Sequence, residues 1–226
     1  MRKSPLLPIF LIVFIDLLGF GLILPLLPFY AESFGASGFV VGLLIASYSF
    51  MQFIGAPILG RLSDKWGRRP VLLLSQFGTF LGFIVLGLAN SLPLLFLARI
   101  IDGLSGANLS TAQAYISDVT EEKDRAKSFG LIGAAFGLGF IIGPAAGGWL
   151  STFGYQAPAF VAAGLSALTM ILTYIMLPEP TRKGGVANAR RPFSMAALKR
   201  AITHPAMGSL LAIGFTFGVA FTMFQT

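Results

Sequence analysis

Three ionisable side chains stand where a lipid-crossing helix would ordinarily carry none: Asp16, Arg99 and Asp102. A lone charge at that depth costs about 2.5–3.5 kcal/mol on insertion scales, so such groups face protein or a water-filled cavity. Arg99 and Asp102 are three residues apart, a spacing at which helical side chains touch. They can form an ion pair that fixes packing, or serve a pathway. Asp16 has no cation on its own helix and is the stronger candidate for a carboxyl that binds and releases a proton, as a proton-coupled device requires. Nearby polar residues suit a cavity. Asp102, Gly106 and Gln113 share one face of a continuous helix, and Tyr48, Gln52 and Gly55 share one face of another. They could contact a substrate, but hydrogen bonding between helices accounts for them equally well.

The elements that position these groups follow from composition. The chain of 226 residues is 55% hydrophobic and only 11% charged, with a mean hydropathy of +0.81. A soluble domain of this length would need far more polar surface. There is no Cys, hence no disulfide framework and no thiolate metal site. No nucleophile–base pair, metal cluster or nucleotide loop is visible, so neither an enzyme nor a cofactor is expected. The N-terminal apolar run runs on to Tyr30 without a small-residue cleavage pattern, and reads as a first membrane helix rather than a leader.

Six spans of about the length that crosses a bilayer are predicted. Helix one covers about Leu6 to Phe29, where Pro25 and Pro28 end or bend it. Helix two covers Phe39 to Leu59, helix three Pro70 to Ala89, and helix four Leu92 to Ile116. Helix five covers Phe129 to Leu150 and helix six Pro158 to Leu177. Residues 1–177 thus form one helical bundle. A cytoplasmic central loop follows at 178–205, with a flexible stretch to Pro192 and a short amphipathic pattern from Phe193 to Ile202. A seventh membrane helix begins at 206–226. His204, the single histidine, reads as an exposed loop residue rather than a proton relay.

The cations orient the thread. Gly60 to Arg69 is a glycine-punctuated basic island between two uncharged stretches, and reads as a short loop. Fifteen of the sixteen Lys and Arg fall on the same side as this loop, and the sixteenth is Arg99. The opposite loops hold one acid, Glu32, and no Lys or Arg. This asymmetry places the N-terminus in the cytoplasm and the chain in a cell (inner) membrane, in contact with the lipid bilayer. It also explains the net charge of +7 without nucleic acid.

Helix five carries Gly139, Gly143 and Gly147 at four-residue spacing, with Pro144 and Gly148 alongside. Small residues so spaced form a strip where another backbone approaches closely. Pro144 removes a hydrogen bond and permits a bend. Tight packing and a bending helix that lines a pathway remain equally open.

The motifs resemble those of a known family. Gly60-Arg61-Leu62-Ser63-Asp64-Lys65-Trp66-Gly67-Arg68-Arg69-Pro70 resembles the loop 2–3 signature of the major facilitator superfamily. Leu97 to Ala107 resembles its helix-four signature, and Gly139 to Leu150 the helix-five signature associated with antiporters. Phe14 to Gly21, followed by Leu24-Pro25-Leu26-Leu27-Pro28, is similar to helix one of tetracycline and multidrug/proton antiporters. The resemblance implies an all-α polytopic membrane protein: the six-helix N-terminal bundle of a major facilitator transporter plus the start of helix seven. It assigns Asp64, Arg68, Arg69 and Asp118 to a cytoplasmic charge cluster that gates two conformations. Gly60 and Gly67 would allow tight turns, and Arg125 matches a basic residue after helix four. Asp16, Arg99 and Asp102 would serve proton coupling, and Tyr48, Gln52 and Gln113 the substrate cavity. Members of the family have about twelve helices in two halves with the site between them. The second half is therefore expected as a missing partner.

The leading functional reading is the N-terminal half of a secondary antiporter that exchanges protons for a small-molecule substrate, an amphipathic drug such as tetracycline. A metabolite importer or facilitator of the same superfamily, and a membrane fragment that transports nothing, are the alternatives. The topology is directly testable in a chain without Cys. Single cysteines at Glu32 and Lys65 are expected to react with membrane-impermeant maleimide from opposite sides. Labelling of both from one side would overturn the threading.

Overall fold

The computed structural model describes residues 6–106, 108–180, 203–204, 207–209, 212–214 and 216. The chain divides into two compact units, Met1–Lys183 and Gly184–Thr226. The first contains eight α-helices among its described residues: α1 (Leu6–Ile23), α2 (Leu27–Glu32), α3 (Gly38–Trp66), α4 (Arg68–Gly87), α5 (Leu92–Ser105), α6 (Asn108–Val119), α7 (Arg125–Ser151) and α8 (Gln156–Met176). Six stretches, with α5 and α6 counted as one, are long and apolar enough to cross a membrane. The protein is an all-α, multi-pass membrane protein. In the second unit, residues 207–209, 212–214 and 216 are helical and His204 is exposed. The amphipathic pattern from Phe193 to Ile202 lies outside the described residues, as does most of the flexible stretch before it.

Several predicted boundaries move, each for a local reason. Helix one does not run to Phe29. It stops at Ile23, and α2 restarts with Pro28 in its first turn, where a missing N–H costs nothing. Helix two continues seven residues past Leu59, so most of the basic island is helix rather than loop. Only Gly67 separates α3 from α4. Gly60 therefore lies within α3 and makes no turn. Helix four is not continuous: it breaks between Ser105 and Asn108. Two carbonyls at the break are bonded by side chains of other helices, as membrane burial favours. Ser75 Oγ donates to the Ser105 oxygen, and Gln52 Nε2 donates to the Gly106 oxygen at 2.9 Å. Pro57 and Pro144 lie inside α3 and α7 without ending either helix.

The helices enclose two apolar cores. One is built from Leu22, Ile23, Leu44, Phe83, Leu86, Leu95 and Ala162, and the other from Ile9, Ile12, Leu72, Tyr115, Ile132 and Leu177. Between them, every central helix changes character. α1 carries Asp16 there, and α4 carries Gln76 and Thr79. Asp102 on α5 and Asn108 on α6 lie at the same level, with Ser166 and Thr169 on α8. The result is a polar layer sandwiched between two apolar ones.

α1 packs along α7 and α8. Its contact with α7 is backbone on backbone. A methyl group added at Gly143 would lie 2.7 Å from the Gly21 carbonyl carbon, and one at Gly139 would lie 3.0 Å from Leu17 Cβ. The buried glycine strip is thus filled by α1, whereas Gly133, Gly137 and Gly148 have open space beside them. Gly143→Ala should overpack this seam and destabilise the bundle by about 1–3 kcal/mol. Gly148→Ala should stay within about 0.5 kcal/mol of the parent. Thermal unfolding in detergent checks the pair, and equal effects would contradict the seam.

Candidate functional site

A half-open cavity of about 230 Å³ lies at the polar layer. Asp16 enters it from α1, Tyr48 and Gln52 from α3, Asp102 from α5 and Asn108 from α6. Phe20, Phe83 and Phe136 supply aromatic walls. The ring centroids of Phe20 and Tyr48 are 5.5 Å apart, within the range for a favourable aromatic pair. An apolar, aromatic lining with few convergent polar groups is the usual make-up of a small-molecule site.

The charges in this layer are held in two ways. Arg99 and Asp102 are 2% and 3% exposed and form an ion pair at 3.0 Å between Nη2 and Oδ2. The Arg99 guanidinium also lies over the Tyr48 ring, 5.4 Å from its centroid. Desolvation offsets much of the attraction in a buried pair, and removing one partner would strand the other. Asp16 is held differently: Thr169 Oγ1 donates to its Oδ1 at 2.9 Å across the α1–α8 contact.

Gln113 does not reach the cavity. It is exposed, because the break at Gly106 interrupts the helical phase that would have carried it to the face of Asp102. The same break brings Gln52 into play, since its amide bridges to Gly106 and donates to the Tyr48 hydroxyl at 3.2 Å. Thr79, Asn108 and Thr169 are cavity-level residues that sequence reasoning missed. Polar residues of this kind are common enough in membrane helices that no spacing singled them out.

A second polar centre sits at the α3–α4 junction. Gly67 adopts φ +110°, a left-handed conformation that glycine tolerates best. The turn aims Arg68 between two helices. Its Nη1 lies 2.7 Å from Asp64 Oδ1 on α3, and its Nε lies 2.8 Å from Asp118 Oδ2 on α6. Nη1 also donates to Ser63 Oγ at 2.7 Å. Arg69 takes another course: it donates to the Tyr174 carbonyl oxygen and stacks over the Tyr174 ring, 5.0 Å from its centroid. Among the described residues no ion pair ties Arg125 to this cluster. It is exposed at the start of α7.

Glu179 is the unforeseen member of this centre. Its carboxylate accepts from the Arg68 N–H at 2.6 Å and the Arg69 N–H at 2.9 Å. An anion on the first free N–H groups of a helix is favourable both as a cap and toward the helix dipole. The end of α8 is thereby fastened to the start of α4. The only hint in the sequence was an acid set between two prolines directly after the last apolar residue of helix six.

The profile of the Major Facilitator Superfamily matches residues 9–226. The chain belongs to the Major Facilitator Superfamily. This member is similar to the class C tetracycline resistance protein of Escherichia coli, with 40% identity over 82% of this chain and 46% of that protein. It is 38% identical to the class G tetracycline resistance protein of Vibrio anguillarum, over 95% of this chain and 56% of that one. Multidrug resistance protein 2 of Bacillus subtilis is 31% identical over 95% and 54%. Among solved structures, the human organic anion transporter MFSD10 (TETRAN) superposes with a TM-score of 0.73 and 28% identity, covering 92% of this chain and 59% of that one. The superfamily member described here spans about half the length of the curated relatives it matches.

The two glycines of the basic island in this Major Facilitator chain differ sharply. A methyl group at Gly67 would require a left-handed alanine and would lie 2.6 Å from Glu179 Oε1, whereas Gly60 has open space beside it. Gly67→Ala should cost at least about 1 kcal/mol, and Gly60→Ala should be neutral or stabilising by up to about 1 kcal/mol. Unfolding midpoints of the two variants decide the matter.

Proposed function

We propose that this chain forms the first half of a secondary active transporter that exports a small amphipathic drug, of the tetracycline kind, in exchange for protons. Asp16 carries the exchanging proton, and the Arg99–Asp102 pair shapes the wall opposite. Tyr48 and Gln52 face the substrate. A second six-helix half completes the site, because a cavity between two halves is how such transporters bind at the midplane. The N-terminus and the α3–α4 junction face the cytoplasm, and the protein resides in the inner membrane.

The observation that carries this reading is the placement of Asp16, a carboxyl without an ion-pair partner among the described residues, on the wall of an aromatic cavity at the level of the polar layer. Amphipathic aromatic compounds suit the phenylalanine walls, and a proton suits the acid. Two further features support exchange. Gly139 of the helix-five signature packs against Leu17 and Leu18, directly beside Asp16, so movement of α7 is felt at the acid. Arg68, shared by Asp64 and Asp118, joins α3 to α6. Such a cluster biases one conformation of a rocking transporter by a few kcal/mol without touching substrate.

Asp16→Asn, in the transporter assembled with its second half, is expected to reduce proton-driven drug efflux from proteoliposomes to the level of empty vesicles. Drug binding at equilibrium should be retained. Undiminished proton-coupled efflux by this variant would sink the assignment.

A further inference from the structure

We propose that Thr169 is a positioning residue that transmits the protonation state of Asp16 to the backbone of α8. The proposal rests on the reading of Asp16 as the proton carrier. Thr169 is fully buried. Its Oγ1 lies 2.9 Å from Asp16 Oδ1 and 2.8 Å from the carbonyl oxygen of Ser166, one turn earlier on its own helix. A hydroxyl has one proton and two lone pairs. With Asp16 ionised, both neighbours are acceptors and only one can receive the proton. The carboxylate wins it, because a charge-assisted bond is the stronger.

Binding of a proton from water at Asp16 Oδ1 reverses the arrangement. The acid O–H becomes the donor and Thr169 Oγ1 its acceptor. The hydroxyl proton then turns to the Ser166 carbonyl, the back-bond to an earlier turn that Thr makes in helices. The only covalent changes are the new O–H at Asp16 and the O–H broken in the hydronium ion that delivers the proton and leaves as water. What changes is the bonding of a single turn of α8, and that turn is already tied to a third helix, since Ser166 Oγ donates to the Gln76 carbonyl oxygen at 3.1 Å. One proton on α1 therefore alters the hydrogen bonds of the α8 turn fastened to α4.

The other ionisable groups around the cavity are arranged differently. Asp102 on α5 is ion-paired with Arg99 and hydrogen-bonded to Thr79 of α4, and Tyr48 on α3 receives the amide of Gln52. α4, α6, α7 and α8 present uncharged side chains to Asp16 there, among them Thr79, Asn108, Phe136 and Thr169.

The test pairs infrared spectroscopy of the chain in lipid with proton-driven exchange by the assembled transporter. The carboxylic acid C=O band that disappears in Asp16→Asn is first assigned to Asp16. In Thr169→Val, which keeps shape but has no hydroxyl, this band should move to higher wavenumber as the acid loses its acceptor. Exchange should slow about tenfold or more, the size of a lost hydrogen bond to a charged group. Thr169→Ser should keep the band in place and the rate within about twofold. Should the Val variant fail to insert, Thr169→Ala gives the same two readings. An unmoved band and an unchanged rate in the variant without hydroxyl overturn the role of Thr169. A loss of exchange with the band unmoved also overturns it, because that is what a packing defect gives. Proton-coupled exchange by Asp16→Asn would instead overturn the assignment of Asp16, and the two failures are told apart by that control.

Discussion

A hydrocarbon solvent gives no hydrogen bonds, and the arrangement of this bundle follows from that. Polar groups within the membrane span must be satisfied by protein or by enclosed water. The chain gathers many of them at one level, between an apolar core around Leu22, Phe83 and Leu95 and another around Ile9, Leu72 and Tyr115. Asp16 faces Thr169, Arg99 faces Asp102, and the carbonyls freed by the break in helix four face Ser75 and Gln52. The cavity opens at this level, and its few polar groups come from it.

The junction between α3 and α4 works by a different economy. One guanidinium, 10% exposed as a side chain, serves acids on two helices, and one carboxylate from beyond α8 serves two backbone N–H groups. An exposed ion pair would contribute little. Arg68 is instead nearly enclosed and fixed at its backbone by Glu179. Three regions distant in sequence, the α3–α4 junction, the end of α6 and the stretch just after α8, meet within one hydrogen-bonded group.

Much of this was legible in the sequence. The six crossings, the charges within them and the signature around Asp64 and Arg68 follow from apolar length and from motif. The sequence could not show where helices break. Gly106 sits within an apolar run that reads as continuous, and its break depends on Gln52, a residue 54 positions away. Gln113 was assigned to the cavity on the assumption of unbroken helical phase, and for that reason it was misplaced. The family resemblance implies a tight turn at Gly60, but α3 continues through it to Trp66. Thr169 and Glu179 escaped notice because each acts on a partner more than 100 residues away.

The α1–α8 contact has a consequence for how the protein is made. Asp16 and Thr169 are 153 residues apart. At about 5–20 residues per second, the ribosome takes roughly 8–30 s to supply the second after the first. Throughout that interval the first helix has left the ribosome with its acid and without the hydroxyl that will receive it. α7, which covers the Gly21 face of the same helix, also emerges late. α1 is thus made well before α7 and α8, and its packing is completed only when they emerge.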